Sequence, residues 1–239
     1  MKSNAINTLG RSKHFMLSVA LILATLLIAE RTSNAQQLRQ GISVQLASTK
    51  NAASTPDADN QDAWIVAVAA DGSLYFGIDP VTPAALADKM KGLPRDREQK
   101  LYIKADARAL FAYVERALAA GHEVAFESAV FLTSQPEALA PGTMVPPKGL
   151  EVLIGPLSSS EPVVVQVSND GHQGPTLRIN NQQIPAAALQ TTLTQLLQNR
   201  SEKVVAVNAD GQLPFADVMH VIDVCHSTGA KVVLSAAQL

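Results

Sequence analysis

Apolar and polar positions along the chain fall into two series of short runs that repeat one another. In the first series the run WIVAV at 64–68 is followed by the pair Asp71-Gly72, by LYF at 74–76, and by a helical stretch opened by Thr82-Pro83. In the second, VVVQV at 163–167 is followed by Asp170-Gly171, by LRI at 177–179, and by a helical stretch opened by Pro185. Asp-Gly between apolar runs predicts a hairpin, because glycine tolerates the positive φ that tight turns require. Proline at the first helical position sacrifices no intrahelical hydrogen bond. Leu86, Met90 and Leu93 then share one helix face, and Leu189, Leu193, Leu196 and Leu197 share another.

The repetition continues downstream. LYIKADARALFAYVERAL, starting at Leu101, resembles VVAVNADGQLPFADVMHVI, starting at Val204, without a gap. At one constant offset Asp106 pairs with Asp210, Phe111 with Phe215 and Val114 with Val218. The second copy then predicts a helix from Phe215 to Ser227, a turn at Thr228-Gly229 and a strand from Lys231 to Ser235. The first keeps Gly121 inside or near the end of its helix and regains the strand pattern at 129–132. Each copy reads hairpin, helix, strand, helix, strand. The expected class is therefore α+β: two tandem β-β-α-β-α-β domains, at 62–134 and 161–239, each with its helices on one face of a small mixed sheet.

Residues 135–160 hold Pro136, Pro141, Pro146, Pro147 and Pro156 and read as a linker, since proline at that density breaks helix and central strand alike. The apolar stretch from Leu150 to Ile154 inside it predicts an extra edge strand or the opening of the second copy. Residues 36–61 read as a flexible tether, rich in Ala, Asn, Asp and Ser from 51 onward.

The N-terminus carries a separate signal. Lys2, Arg11 and Lys13 precede FMLSVALILATLLIA at 15–29, which has no charge, Gly or Pro and ends at Glu30-Arg31. A secretory signal peptide needs a basic start, an apolar core of roughly 7–15 residues and a small-x-small cleavage site. Ser33-Asn34-Ala35 supplies that site. A membrane-spanning helix usually needs about 20 apolar residues, with roughly 17 as the lower edge. On both readings of residues 1–35 the basic end stays cytoplasmic and the remainder is exported. Composition agrees with a folded exported region: 47% apolar and 17% charged residues exclude disorder, and a net charge of -2 argues against a nucleic-acid binder. The single cysteine, Cys225, excludes an internal disulfide and reads as a small buried hydrophobe.

The order of these elements resembles the ExbD/TolR family of bacterial biopolymer-transport proteins. The carrying residues are GISVQL at 41–46, Ala105-Asp106 followed by Phe111 and Val114, Ala209-Asp210 followed by Phe215 and Val218, and GAKVVL at 229–234. The likeness covers roughly residues 15–134 once and 161–237 again. It implies a single inner-membrane helix and a dimerising periplasmic domain. It also implies an ExbB/TolQ-type partner with which a proton-driven motor forms, and a TonB- or TolA-type protein that the motor energises. Two departures stand out. The family's membrane helix carries an aspartate near its cytoplasmic end, whereas 15–29 has only Ser18 and Thr25 as polar residues. Glu30 sits at the opposite end and His14 at the flank, and both read as interfacial groups rather than proton carriers. The doubled periplasmic domain is the second departure, and a two-fold contact between the copies makes an internal pseudo-dimer the expected alternative to a homodimer.

No enzyme is expected. His14, His122, His172, His220 and His226 show no metal-ligand spacing, and neither a Walker loop, a Rossmann fingerprint nor a G-x-S-x-G elbow occurs. No cofactor is implied. Asp223 and His226 share a helix face and read as a surface polar pair. Asp106 and Asp210, next to helix starts, read as caps or turn formers. Together with Phe111, Val114, Phe215 and Val218 they are the expected fold-defining or partner-facing positions. Exposed sheet edges are the expected place for a partner to dock by strand addition.

Overall fold

The computed structural model describes residues 41–94, 99–135, 146–155, 162–171 and 174–235, so the apolar run at 15–29 and the cleavage sequence at 33–35 lie outside the described residues. In chain order the elements are β1 (Ala53–Ser54), β2 (Trp64–Val68), β3 (Leu74–Phe76), β4 (Asp79–Val81), α1 (Pro83–Lys91), β5 (Leu101–Ala105), α2 (Phe111–Glu123), β6 (Ser128–Thr133) and β7 (Lys148–Gly155). The second copy continues with β8 (Val163–Ser168), β9 (Thr176–Ile179), β10 (Gln182–Ile184), α3 (Leu189–Leu197), β11 (Val204–Ala209), α4 (Phe215–Ser227) and β12 (Lys231–Ser235). Among the described residues no helix is long and apolar enough to cross a membrane.

The two copies share one mixed sheet rather than forming a small sheet each. Its order is β10-β9-β8-β11-β12-β7-β6-β5-β2-β3-β4, with β1 paired to β7. Reading outward from β7, both sides repeat the same arrangement: a last strand, the strand before it, then the hairpin. β7 runs antiparallel to β6 and parallel to β12. β6 and β12 therefore run in opposite senses, as a two-fold axis normal to the sheet requires. The segment expected as an extra edge strand or as the opening of the second copy is thus the central strand. Its sequence explains the placement, because Leu150, Val152 and Ile154 alternate toward the helices and are buried, while Glu151 points away and is exposed.

Each copy also has a third short strand that the apolar pattern does not announce. β9 and β10 meet at a two-residue turn in which Asn180 and Asn181 have φ of 48° and 71°. Positive φ at both central positions is the type I′ geometry whose twist suits a hairpin. The expected Asp71-Gly72 turn is present, with Gly72 at φ 87°. A Cβ there would also stand 2.6 Å from the Tyr113 ring, so no other residue fits. Helix α1 starts as expected, with Pro83 in its first turn and the Thr82 hydroxyl accepting from Ala85 N–H. Its counterpart does not start at Pro185: a 3-10 turn at Ala186–Ala188 comes first, and α3 begins at Leu189.

All four described helices face the same side of the sheet. Leu86 and Met90, Phe111 and Leu118, Leu193 and Leu197, and Phe215 and Ile222 join the inward residues of both copies in one continuous apolar core. A smaller cluster of Ile65, Tyr102, Val130 and Leu132 lies on the opposite face of the first copy, under Ala58. Residues 41–61, expected as a tether, supply that cover as an arm. Ala47, Thr49 and Ala58 are buried, Thr49 Oγ1 lies 2.9 Å from Thr133 Oγ1, and β1 pairs with β7.

Candidate functional site

The six positions singled out in the sequence converge on the seam where the two copies meet. Asp106 ends the run after β5 and Asp210 the run after β11. Each starts the loop that leads into α2 or α4. Asp106 Oδ1 accepts from Arg108 N–H at 3.0 Å, and Asp210 Oδ1 accepts from Gln212 N–H at 2.9 Å. Both are side-chain turns closed two residues on, the preferred local bond of aspartate. Neither caps a helix, because the helices begin at Phe111 and Phe215, several residues too late for the carboxylates to reach.

The helix starts are capped by the other copy instead. Phe111 N–H donates to Leu213 O (2.8 Å) and Ala112 N–H to Gly211 O (2.9 Å). Reciprocally, Phe215 N–H donates to Ala109 O (2.8 Å) and Ala216 N–H to Ala107 O (2.9 Å). The first backbone N–H groups of a helix have no partner within it. Here each loop satisfies two of them across the seam, with Leu110 and Pro214 bridging at the centre. The four carbonyl-bearing residues Ala107, Ala109, Gly211 and Leu213 carry no polar side chain, so no residue-type signal announced them. The only clue was the gapless repeat of the loop itself.

Phe111, Val114, Phe215 and Val218 are buried beneath this ladder. Phe215 meets Phe131 of β6 edge-on at 5.2 Å, so a side chain of the second copy completes the core of the first. The remaining gap, lined by Phe111, Glu115, Leu118, Val207, Asn208, Ala209 and Leu234, has a volume of about 10 Å³. That is room for at most about one water molecule, so the seam is a packed contact and not a ligand pocket.

The two aspartates differ in setting. Asp106 is buried and also accepts from Gln45 N–H at 3.0 Å and from the Arg108 guanidinium at 2.8 and 3.0 Å. The Arg108 side chain, together with the backbone donors, holds its carboxyl down at about 2 against the opposing effect of burial. Its folded value lies below the ordinary 3.8. The stability it contributes is therefore fully present near neutral pH and is lost as pH falls through about 4 toward 2. Asp106→Asn should cost about 1–3 kcal/mol at pH 7, since hydrogen bonds to a charged group are among the stronger ones and the exposed guanidinium is partly screened. Urea unfolding of both proteins should show that difference shrinking in acid; a difference independent of pH would contradict this role.

Asp223 and His226 are not a surface pair. Asp223 is buried, and its carboxylate accepts from Lys50 N–H and Asn51 N–H, both at 2.9 Å, tying the arm to α4. His226 Nε2 lies 2.8 Å from Glu151 O on β7, and burial lowers its pKa. Cys225 is buried, and burial pushes its thiol up to about 12, so it is an inert core residue. His122 and His220 are exposed, while His14 and His172 lie outside the described residues. Among the described residues no three His, Cys, Asp or Glu side chains are placed to hold a metal ion. An open cleft of about 260 Å³ beside the arm is lined by Asp57, Asn60, Asp62, Gln99, Lys100 and Tyr102. It contains no nucleophile with an adjacent base.

The family model described as biopolymer transport protein ExbD/TolR matches the chain twice, over residues 16–136 and 141–238. No curated protein and no solved structure matches.

Proposed function

Because the chain belongs to the ExbD/TolR family of biopolymer transport proteins, we propose that it is a non-catalytic subunit of an envelope transport complex coupled to the proton-motive force. The observation that carries this reading is the double family match, joined to a seam in which each copy caps the other's helix. In the proposal, residues 15–29 anchor the chain in the inner membrane and residues 62–134 and 161–239 are two periplasmic copies. An ExbB/TolQ-type protein is the membrane partner and a TonB- or TolA-type protein the periplasmic one. The internal pseudo-dimer takes the place of the contact that two single-copy chains make in a homodimer. The absence of Asp and Glu from 15–29 assigns this subunit the mechanical part of the work, with the proton-carrying group supplied elsewhere in the complex.

Intact-mass measurement of the exported protein, with co-purification from detergent-solubilised membranes, tests the proposal. Retention of residues 1–35 together with a co-purifying ExbB/TolQ-type protein is the expected result. A mature chain starting at Gln36 would overturn the anchored reading in favour of a secreted periplasmic binding module.

A further inference from the structure

The seam is symmetric in backbone but not in side chains. Glu115 stands four residues after Phe111 in α2; the residue four after Phe215 in α4 is Met219. Met219 is fully buried in the shared core. Glu115 lines the small gap between the copies among Phe111, Leu118, Val207 and Leu234. It also faces the opposing loop closely: a Cβ built on Gly211 would lie 3.3 Å from Glu115 Oε2 and 2.9 Å from the Ala112 Cβ. Gly211 is the same residue whose carbonyl caps Ala112. A carboxylate thus occupies the repeat position at which the other copy carries a buried thioether.

We propose that Glu115 and Asp210 form a proton-responsive clasp across the seam, closed when Glu115 is neutral and loosened when it is ionised. The inference does not depend on which complex the chain joins. Asp210, the residue before Gly211 in the opposing loop, is the charged group whose field acts on Glu115; β11 and β12 present Val207, Asn208, Ala209 and Leu234 at the gap, all uncharged. On its own helix the neighbouring Arg116 lies over the Tyr113 ring, 5.3 Å from its centre. Asp106, in the nearer loop, is already paired with Arg108. Among the described residues no hydrogen bond or ion pair neutralises the half-buried Glu115, so ionisation leaves a partly desolvated negative charge in the gap.

Burial, and secondarily the Asp210 charge, raise the pKa of Glu115 above its ordinary 4.5. The folded chain therefore takes up this proton at a higher pH than the unfolded chain. Its charge costs stability near neutrality, and that cost is relieved as pH falls through the raised value toward 4.5. Groups that act in the opposite sense are His226, whose lowered pKa withdraws stability as pH falls from 6.5 toward its folded value, and, in stronger acid, Asp71 and Asp106. Comparison with Glu115 variants cancels them.

The test uses the full chain with Glu115→Gln, Glu115→Met and Asp210→Asn. Urea unfolding between about pH 7.5 and 4.5 should show both Glu115 variants more stable than the parent at the upper end and converging with it at the lower end. Hydrogen exchange at the Phe111, Ala112, Phe215 and Ala216 amides, corrected for intrinsic pH dependence, should slow several-fold in Glu115→Gln at neutral pH, with β2 amides unchanged. Asp210→Asn should reproduce part of both effects. Parallel pH profiles of parent and Glu115→Gln, or unchanged exchange at those four amides, would overturn the clasp. Glu115→Met provides an independent check, because methionine already fills the equivalent position in α4.

Discussion

Replacing Phe215 by alanine is expected to remove about 3–5 kcal/mol of stability, the range for deleting a large buried aromatic side chain. A domain of ordinary stability has about 5–15 kcal/mol in total, so this one change approaches the whole reserve. Phe215 is fully buried at the first turn of α4, and its ring meets Phe131 edge-on across the seam. Truncation leaves a cavity that the rigid β6 backbone beneath it, hydrogen-bonded to both β5 and β7, cannot collapse to fill. Because the core is continuous across both copies, the loss should appear as a lower midpoint in a single transition for the whole described region. Two separate transitions, with only the second copy shifted, would show that the copies fold independently. Ile78→Ala is the control: Ile78 is 74% exposed at the β3–β4 turn, and its truncation should change stability by less than about 0.5 kcal/mol.

The contrast between Phe215 and the seam that surrounds it shows what the sequence could reveal. Local rules identified the elements well where chain and environment agree. The expected helix from Phe215 to Ser227, turn at Thr228-Gly229 and strand from Lys231 to Ser235 are the observed α4, turn and β12. The repeat also placed Phe111 and Phe215, Asp106 and Asp210 in equivalent roles, and the structure puts them at equivalent places around one axis. A two-fold contact between the copies was expected from the repeat, but the residues that make it were not legible, because backbone hydrogen bonds carry no residue code. Ala107, Ala109 and Leu213 look like ordinary loop residues, yet their carbonyls, with that of Gly211, cap the helices. Pro146-Pro147 hid the full length and central place of β7, which was expected as an extra edge strand or the opening of the second copy. Proline forbids a strand only at its own position, and the alternation beginning at Lys148 is intact. The arm was misread because its small polar residues suit a tether. Its order comes from distant partners such as Asp223 and Thr133, which no local window contains.

Gly149 tests the central strand directly. It has no positive φ, so its requirement is space rather than backbone freedom. It pairs with Leu132 of β6 on one side and Ala53 of β1 on the other. A Cβ at this position would lie 2.4 Å from Val130 Cγ1 and 2.9 Å from the Phe131 carbonyl oxygen. The valine methyl can turn aside, but the carbonyl belongs to the backbone of β6 and moves only if the ladder does. Gly149→Ala should therefore cost about 1–3 kcal/mol, as overpacking of a close contact does. Gly149→Val adds two methyl groups against the same wall and should exceed that range. Since β7 is the strand through which the two halves of the sheet are hydrogen-bonded, the damage should concentrate there. Hydrogen exchange should quicken first in β6, β7 and β12, while the hairpin of β8 and β9 keeps its protection longest. Equal loss of protection throughout both copies would mean that β7 joins the halves without being their weak point. No loss at all would mean that β6 and β7 separate more easily than the observed register requires.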